Sequence, residues 1–553
     1  MDKNNFSKLI TEYKYTILFA AIGIVYFLYQ FVDVMEVDAS QYALISMEMS
    51  FSKSFLHVYQ LGSDYLDKPP LLFWLSSFSF LTFGISNFAY KLPSLLVAIL
   101  GIYSTYRLAK RWYSRETALF AALIVATSQA MFLMVNDVRT DTMLLGFTVF
   151  AIWQIVEYLN NQKWLNLILA AVGIGGAMLS KGPLGIVLPA AAVGSDFLLK
   201  RQWKNIFKYQ WLILLVIVAL ILLPMSYGLY TQFDLHPEKT VYGLKGPSGL
   251  EFFYWTQSFG RITGQSAWRD DSGYFYFFHT IIWDFQPWIL LFIPALVLRF
   301  RKLILQKFKA TSKDEYITLA GFVLFFIAFS FSHYKLPHYI FVLFPFAAII
   351  TADFIVRLSD RWKTRIGSIQ FGLMHAFWLL MILDFLYIFP PKNFLLPAIL
   401  LVLYLVYVTV FRKAKGSARI IIPTVLTAVS LNLLMAVNFY PRLLNYQADS
   451  QAGQYITEHN IPASKVSQTC SECYAFNFYA RNIKPADTTF TDFKKGDVIF
   501  VDEDWLKKIE AQHINFKILK LFPDFRVTHL NPTFLFRKTR SEALKTKYIL
   551  EIE

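Results

Sequence analysis

Long apolar runs recur along the first 440 residues of this 553-residue chain, and they constrain its fold more than any other feature. Thirteen runs approach the roughly 20 residues that an α-helix needs to cross a bilayer. In addition, 56% of the residues are hydrophobic and the mean hydropathy is +0.43, which is more apolar than a soluble globular chain. We therefore predict a mainly α-helical, polytopic membrane protein. Its spans are expected to start near residues 15, 92, 117, 141, 164, 182, 210, 280, 316, 337, 370, 394 and 419.

The first run follows three lysines, Lys3, Lys8 and Lys14. It is longer than a signal-peptide core, and no convincing small-residue cleavage site follows it. We expect it to be an uncleaved span with a cytoplasmic N-terminus.

Basic residues produce a net charge of +15, but they are distributed over alternate loops rather than gathered into one patch with interleaved aromatics. This distribution argues against a nucleic-acid surface and follows the positive-inside rule for membrane proteins. Topology and contact with lipid headgroups account for these loops. The basic loops lie at 107–115, 200–208, 299–313, 357–365 and 412–419.

The remaining loops are expected to lie on the opposite side of the membrane from the basic loops, and they contain most of the unusual ionisable residues. Such groups are costly at span ends unless they have partners or a function, so several of them on one face indicate a site. A single lysine such as Lys181 or Lys335 is equally well explained as a snorkelling anchor. The group comprises Glu36, Asp38, Asp67, Lys68, Asp137, Arg139, Asp141, Lys181, His333, Lys335 and His338.

A transporter or flippase is the alternative in another functional class. Transporters place charges and broken helices near the midplane, between internal repeats. Here the runs are mostly free of charge, and no internal repeat is evident. The pattern favours an enzyme at the outer interface over a flippase whose outer residues bind phosphate without chemistry.

Several motifs in order along residues 10–360 resemble one family. They are "VDASQYALISMEM" at 37–49, "YLDKPPLLFWL" at 65–75, "RTDTMLLGF", "LSKGPLG" and "YKLPHYIFVLFP". The chain resembles the GT-C glycosyltransferases that use polyprenyl-phosphate sugars, and most closely the lipid A aminoarabinose transferase branch and its protein O-mannosyltransferase relatives. The resemblance implies a bacterial inner-membrane enzyme with a periplasmic active site that transfers a sugar to a lipid A-like acceptor. A protein O-glycosyltransferase remains the alternative within the fold.

Sugar transfer from a lipid phosphate needs a stabilised leaving group, an oriented acceptor oxygen and often a base. Asp38, just after the first span, fits the base, and Tyr42 would share its face on an interfacial helix. Asp38 also suits a helix N-cap. If the acceptor is itself a phosphate, Asp38 would orient it rather than deprotonate it.

Lys68 supplies positive charge for a lipid-linked phosphate at the membrane edge, and Asp67 would either bind a divalent metal or hold Lys68 in place. The two following prolines keep Lys68 out of a helix. A plain loop turn with a local ion pair is the alternative. Further substrate-binding candidates are Arg139, Asp141, Lys181 and Lys335.

The chain departs from the family at Ala39, where Glu is usual, and at Gln41, where the aminoarabinose branch has Arg. That branch pairs the carboxylate matching Asp67 with a His, and this chain has Ser258 there. His279 is the substitute we consider for a zinc- or magnesium-like ion, because imidazole and carboxylate are common ligands; a packed interfacial ring is the alternative. The preceding loop adds a polar and aromatic set that would either close over a sugar or stay solvated: Arg261, Trp268, Arg269, Asp270 and Asp271.

After Pro441 the sequence becomes polar and alternating, which predicts a periplasmic α/β domain over 441–553, following a transmembrane domain over 1–440 with large outer loops at 33–91 and 230–279. We expect strands at "GDVIFVDEDW", "FKILKLF" and "FLFRK" and a helix at "SQAGQYITEHN". The only cysteines, Cys470 and Cys473, suit a structural disulfide outside the cytoplasm.

Overall fold

Helices form most of the computed structural model, which describes residues 3–258, 260, 272–309, 311, 314–489 and 493–553. All thirteen predicted runs fall on helices. These helices are Lys3–Tyr29, Asn87–Lys110, Arg115–Ala126 with Gln129–Asn136, Thr140–Asn161, Trp164–Lys181, Leu184–Leu199, Gln210–Leu229, Tyr276–Asp284 with Ile289–Leu305, Ile317–Ser330, Phe344–Arg357, Asp360–Leu383, Leu395–Lys413 and Ala418–Leu434.

Within the described residues, eight helices are long and apolar enough to cross a membrane, or nine if the bent pair Arg115–Ala126 and Gln129–Asn136 counts as one span. The chain is thus a polytopic membrane protein. The predicted thirteen exceeds this number because several apolar runs form helices shorter than the roughly 20 residues of a full span. Among the thirteen runs, the shorter helices include Leu184–Leu199 and Ile317–Ser330, and the run near residue 280 is divided between Tyr276–Asp284 and Ile289–Leu305.

The helix Thr140–Asn161 is held tightly between its neighbours. A Cβ on Gly146 would lie 2.4 Å from the carbonyl oxygen of Val97, and a Cβ on Gly173 would lie 2.9 Å from the Cβ of Ala151. Small residues at such contacts let membrane helices pack backbone against backbone. The position of Asp141, in the first turn of this helix, is therefore fixed by the bundle.

The segment between the first two long helices folds into two helices, Asp38–Ser52 and Leu71–Phe83, joined by a hairpin of strands Tyr59–Gln60 and Ser63–Asp64. The predicted helix after Asp38 is confirmed. Most of its side chains are buried in an apolar cluster with Phe73. Pro70 immediately precedes the second helix, so Lys68 lies outside it, as the prolines predict.

Residues after 447 form a small domain with a mixed four-stranded sheet, as expected. Its strands are Val466–Gln468, Val498–Asp502, Phe516–Asp524 and Lys545–Ile552, here β1 to β4. Their spatial order is β1-β2-β4-β3, with β1 and β2 parallel and the other pairs antiparallel. The domain's helices are Ala448–Glu458, Tyr474–Tyr479, Glu503–Ala511 and Pro532–Leu535.

One strand prediction is wrong. The stretch "FLFRK" at 534–538 does not form a strand, because the Asn531 side chain accepts a hydrogen bond from the Phe534 amide at 2.9 Å and starts the short helix Pro532–Leu535. The other predicted strands and the helix are present. Cys470 and Cys473 form a disulfide.

The C-terminal domain docks on the segment that follows the first helix. The Val34 backbone amide donates to the Tyr479 hydroxyl at 2.8 Å, and the side-chain Nε2 of Gln447 donates to the Val34 carbonyl at 3.0 Å. The Glu36 amide donates to the Gln447 side-chain oxygen at 2.9 Å. The domain therefore lies on the same face of the bundle as the 33–91 segment.

This docking interface contains a carboxyl group that prefers to be neutral. Burial raises the pKa of Glu36 to about 8, and the nearby carboxylates of Asp449 and Asp524 contribute. The folded state thus retains a proton that the unfolded state releases near its ordinary value of 4.5, so stability falls as the pH rises from about 4.5 to 8. Above this window the loss stays constant.

We predict that Glu36→Gln raises the melting temperature in detergent relative to the unmodified protein, with a larger gain at pH 9 than at pH 5. The amide cannot ionise, so the variant lacks this part of the pH dependence. Glu458→Gln, at an exposed helix end, is the matched control and should change neither value. An equal gain at both pH values would contradict the prediction.

Lys91 is 1% exposed and joins three elements beneath the docking segment. Its Nζ donates to the carbonyl oxygens of Tyr29 at 3.1 Å and Val32 at 2.8 Å, and to the side-chain oxygen of Asn136 at 3.1 Å. The first two acceptors are at the C-terminal end of the first helix, where carbonyls lack intrahelical partners. Lys91 therefore satisfies that helix end and ties it to the bundle.

We predict that Lys91→Met destabilises the protein by about 2–4 kcal/mol, because it removes the hydrogen bonds that the ammonium group donates to these three buried acceptors. Thermal unfolding in detergent measures the change. Lys110→Met, at the exposed far end of the same helix, is the control and should be near neutral. A melting temperature equal to that of the control variant would count against the assignment.

Candidate active site

Asp38 and Arg139 form the centre of the candidate site. Asp38 is the first residue of its helix, but the N-cap position is Val37 and no side chain caps the helix. The Asp38 carboxylate instead accepts a hydrogen bond from Arg139. The Asp38 side chain therefore does not cap the helix.

Arg139 bridges two carboxylates. In addition to Asp38, it binds Asp137, with both nitrogen–oxygen distances at 2.9 Å. Burial lowers the pKa of Arg139, but these two carboxylates outweigh burial and hold the pKa above its ordinary value. Burial raises the pKa of Asp137, and Arg139 opposes that rise. Arg139 thus holds Asp38 in position, while much of its charge is balanced.

A second pair lies beside the first. The Lys181 amine donates to the carboxylate of Asp141, which is 3% exposed. The Nε2 atom of His338 lies 3.7 Å from the other Asp141 oxygen. The Lys181 amine also lies 3.9 Å from the centre of the Tyr339 ring, a distance that suits a cation–π contact.

Lys68 and Lys181, predicted from separate motifs, line one cavity of about 80 Å³, which we name the lysine cavity. The Lys68 amine lies 2.9 Å from the Asp67 carboxylate. The Gln257 side chain donates to the Asp67 carbonyl oxygen. The other residues lining this cavity are Leu184, Gln257, Ser258, Phe329, Ser332 and Tyr339. Two amines and several hydroxyl or amide donors suit a phosphate.

A larger cavity of about 510 Å³, which we name the acidic cavity, lies on the other side of these pairs. The consecutive residues His338 and Tyr339 line the acidic and the lysine cavity respectively, so the two are neighbours. Apolar side chains form much of its wall. Its polar residues include Asp38, Asp137, Arg139, Asp284, His338 and Tyr440.

Tyr42 lies near both pairs. Burial raises the pKa of its hydroxyl well above the ordinary value, and the charges of Asp38 and Asp67 add to the rise. The hydroxyl therefore stays protonated, but Tyr42 is buried and lines neither the lysine cavity nor the acidic cavity.

Lys335 lies in neither cavity lining, and its amine donates to the carbonyl oxygen of Ser272 at 2.8 Å. This contact ties the 333–337 turn to the chain after residue 271. The predicted loop residues Arg261, Trp268, Arg269, Asp270 and Asp271 lie outside the described residues.

Among the described residues, no group of three potential metal ligands includes Asp67 or His279. Asp67 is ion-paired with Lys68, while His279 is exposed and packs its ring against Tyr276, with centroids 5.2 Å apart. In the described part of the chain, the one group of three potential ligands is Asp449 with Cys470 and Cys473. Those cysteines are joined in a disulfide.

The two departures from the family pattern have structural partners. Gln41 donates to the Gln60 side chain at 2.7 Å, and the Ala39 carbonyl accepts a hydrogen bond from the Tyr90 hydroxyl at 2.7 Å. Asp284 and Gln257 were not predicted as site residues. A carboxylate inside the apolar run "FFHTIIWDFQPW" could have indicated Asp284 as a site residue. No feature of the sequence indicated Gln257.

Comparison with known proteins agrees with this architecture. Residues 67–227 match the family model described as dolichyl-phosphate-mannose-protein mannosyltransferase. Undecaprenyl phosphate-alpha-4-amino-4-deoxy-L-arabinose arabinosyl transferase 2 of Proteus mirabilis is 25% identical over 59% of this chain and 56% of its own length. Transferase 1 of Pseudomonas fluorescens, with the same descriptive name, is 22% identical over 78% of this chain and 74% of its own length.

Among solved structures, the chain is similar to ArnT from Cupriavidus metallidurans bound to undecaprenyl phosphate. The TM-score is 0.73 at 17% identity, with 97% of each chain covered. The predicted resemblance is confirmed. The chain has an ArnT-like GT-C fold, while its alignments cover 56% and 67% of the lengths of two Proteus mirabilis transferases that it matches.

Proposed function

We propose that the protein is a membrane glycosyltransferase that moves a pentose from undecaprenyl phosphate to a lipid A-like acceptor. The observation that carries this proposal is the pairing of the lysine cavity with the neighbouring Asp38–Arg139 pair. One provides positive charge for a phosphate, and the other provides an oriented carboxylate. The similarity to aminoarabinose transferases supports this choice of donor and acceptor.

The chemistry follows from the two charged groups. The bond between the sugar's anomeric carbon and a phosphate oxygen breaks, and undecaprenyl phosphate leaves with the bonding electrons. The lysine cavity would stabilise this negative charge through Lys68 and Lys181. The new bond joins the anomeric carbon to an acceptor oxygen. If that oxygen is a hydroxyl, Asp38 takes its proton; if it belongs to an ionised phosphate, Asp38 orients the reacting groups.

The same proposal includes the membrane arrangement. All thirteen apolar helices would cross or enter the membrane, with the N-terminus in the cytoplasm of a bacterium and the site and C-terminal domain in the periplasm. The alternation of basic loops supports this orientation. Cysteine accessibility to a membrane-impermeant maleimide would test it, with cysteines introduced at exposed positions 207 and 394.

Sugar transfer by the purified protein tests the function. We expect a radiolabelled undecaprenyl phosphate sugar to label a lipid A extract. Transfer to a protein acceptor instead would favour the O-mannosyltransferase alternative, which the family model over 67–227 supports. Donor binding without transfer to either acceptor would favour a flippase.

A further inference from the structure

The acidic cavity has more negative than positive side chains. Asp38, Asp137 and Asp284 line it, and both Asp38 and Asp137 share Arg139 as their basic partner. Asp284 makes no ion pair among the described residues, which include the helices around it. One wall of the cavity therefore contains a carboxyl group without a counter-ion.

Two carboxyl oxygens of residues that line this cavity lack hydrogen-bond partners. They are Oδ2 of Asp284 and Oδ1 of Asp137, and both atoms are buried. Asp137 is only 7% exposed as a residue, and its other oxygen is the one that Arg139 binds. Buried polar atoms are normally paired, so two unpaired carboxyl oxygens among the lining residues of one cavity set this cavity apart.

The chemistry of these oxygens selects the ligand. An ammonium group would provide the counter-ion that Asp284 lacks, whereas a phosphate or another acid would not. The neighbouring lysine cavity has the opposite character. A molecule with an anionic phosphate next to a positively charged, hydroxyl-bearing head group would match the two cavities together.

We propose that the acidic cavity is the sugar subsite and that Asp284 binds the ammonium group of an amino sugar there. Asp137, already paired with Arg139 through Oδ2, borders the same subsite. The apolar wall packs against the face of the sugar ring. This inference rests on the proposed function and adds the residues that distinguish an amino sugar from a neutral one.

Paired donors test the subsite. Initial rates would be measured with undecaprenyl phosphate-linked 4-amino-4-deoxy-L-arabinose and with undecaprenyl phosphate-linked L-arabinose, which lacks the amine. We expect the unmodified protein to favour the amino donor in kcat/KM by about 10-fold or more, as for loss of one charged hydrogen bond. In Asp284→Asn the preference should fall to near unity, while kcat/KM for the neutral donor changes by less than about 3-fold.

Asp384→Asn is the matched control. Asp384 is a buried carboxyl on another helix, also with one unpartnered oxygen, and it does not line the acidic cavity. It should keep the donor preference. If Asp284→Asn does not fold, inhibition of transfer by the unmodified protein is measured instead. We expect methyl 4-amino-4-deoxy-arabinoside to inhibit more strongly than methyl arabinoside.

The outcomes separate the two proposals. No transfer from either donor overturns the proposed function. Transfer without donor preference, or an equal loss for both donors in Asp284→Asn, overturns the subsite and leaves glycosyl transfer intact. Equal inhibition by the two glycosides also overturns the subsite.

Discussion

Asp38→Asn is expected to lower kcat for sugar transfer by about 10²–10⁴-fold, the range associated with a positioned general base. The amide cannot take a proton and provides no full negative charge near the anomeric carbon. Arg139 keeps Asp137 as a partner, so the local fold should persist. Initial rates with the undecaprenyl phosphate donor measure the effect, and circular dichroism together with melting temperature checks folding.

Asp64→Asn is the matched control for this change. Asp64 lies in the same 33–91 segment and is ion-paired with Lys239 at 3.0 Å, but it lines neither described cavity. Its rate should stay within about 3-fold of the unmodified rate. Wild-type kcat in Asp38→Asn would exclude Asp38 from the chemistry. A loss that does not change with pH would favour orientation over proton transfer.

Replacing both Lys68 and Lys181 by Met should have the second large effect. The lysine cavity would lose both of its amines, so the donor phosphate and the leaving phosphate would lose their compensating charge. Each charged hydrogen bond contributes about 1.5–3 kcal/mol, which predicts about a 10- to 100-fold loss in kcat/KM for each single variant. Donor titration and steady-state rates measure binding and catalysis separately.

Lys239→Met provides the control for the lysine variants, because Lys239 has the same charge and lies in the outer 230–279 segment. Donor binding should be unchanged there. If Lys68→Met and Lys181→Met each bind undecaprenyl phosphate with unchanged affinity, the phosphate lies elsewhere. The double variant should lose less than the sum of the single effects if both amines contact one phosphate, because the sites are coupled.

The sequence predicts the helical architecture well because apolar run length is a local property. It does not establish how many of the thirteen runs cross the membrane completely, because composition does not reveal where a helix stops. The helices Leu184–Leu199 and Ile317–Ser330, for example, end before full bilayer length. The error at "FLFRK" has a similar cause, since alternation over five residues does not exclude a short helix that begins at Asn531.

The candidate site can be predicted only in part from the sequence. Motifs place Asp38, Lys68, Asp141 and Lys181 on one face, and the structure brings these residues into two neighbouring groups. Sequence cannot reveal how a charge is balanced. Arg139 was predicted as a phosphate ligand, yet it binds two carboxylates through contacts from distant parts of the chain. That role for Arg139 remains a prediction.

The acidic cavity has one wall from the C-terminal domain, formed by Val527, Thr528 and Leu530. Its other walls come from the first 140 residues and from the later helices, so both ends of the chain are needed to build it. During synthesis, the cavity can close only after almost the whole polypeptide has left the ribosome. A nascent chain that already contains every charged residue of the lysine cavity would thus still lack an enclosed place for the sugar.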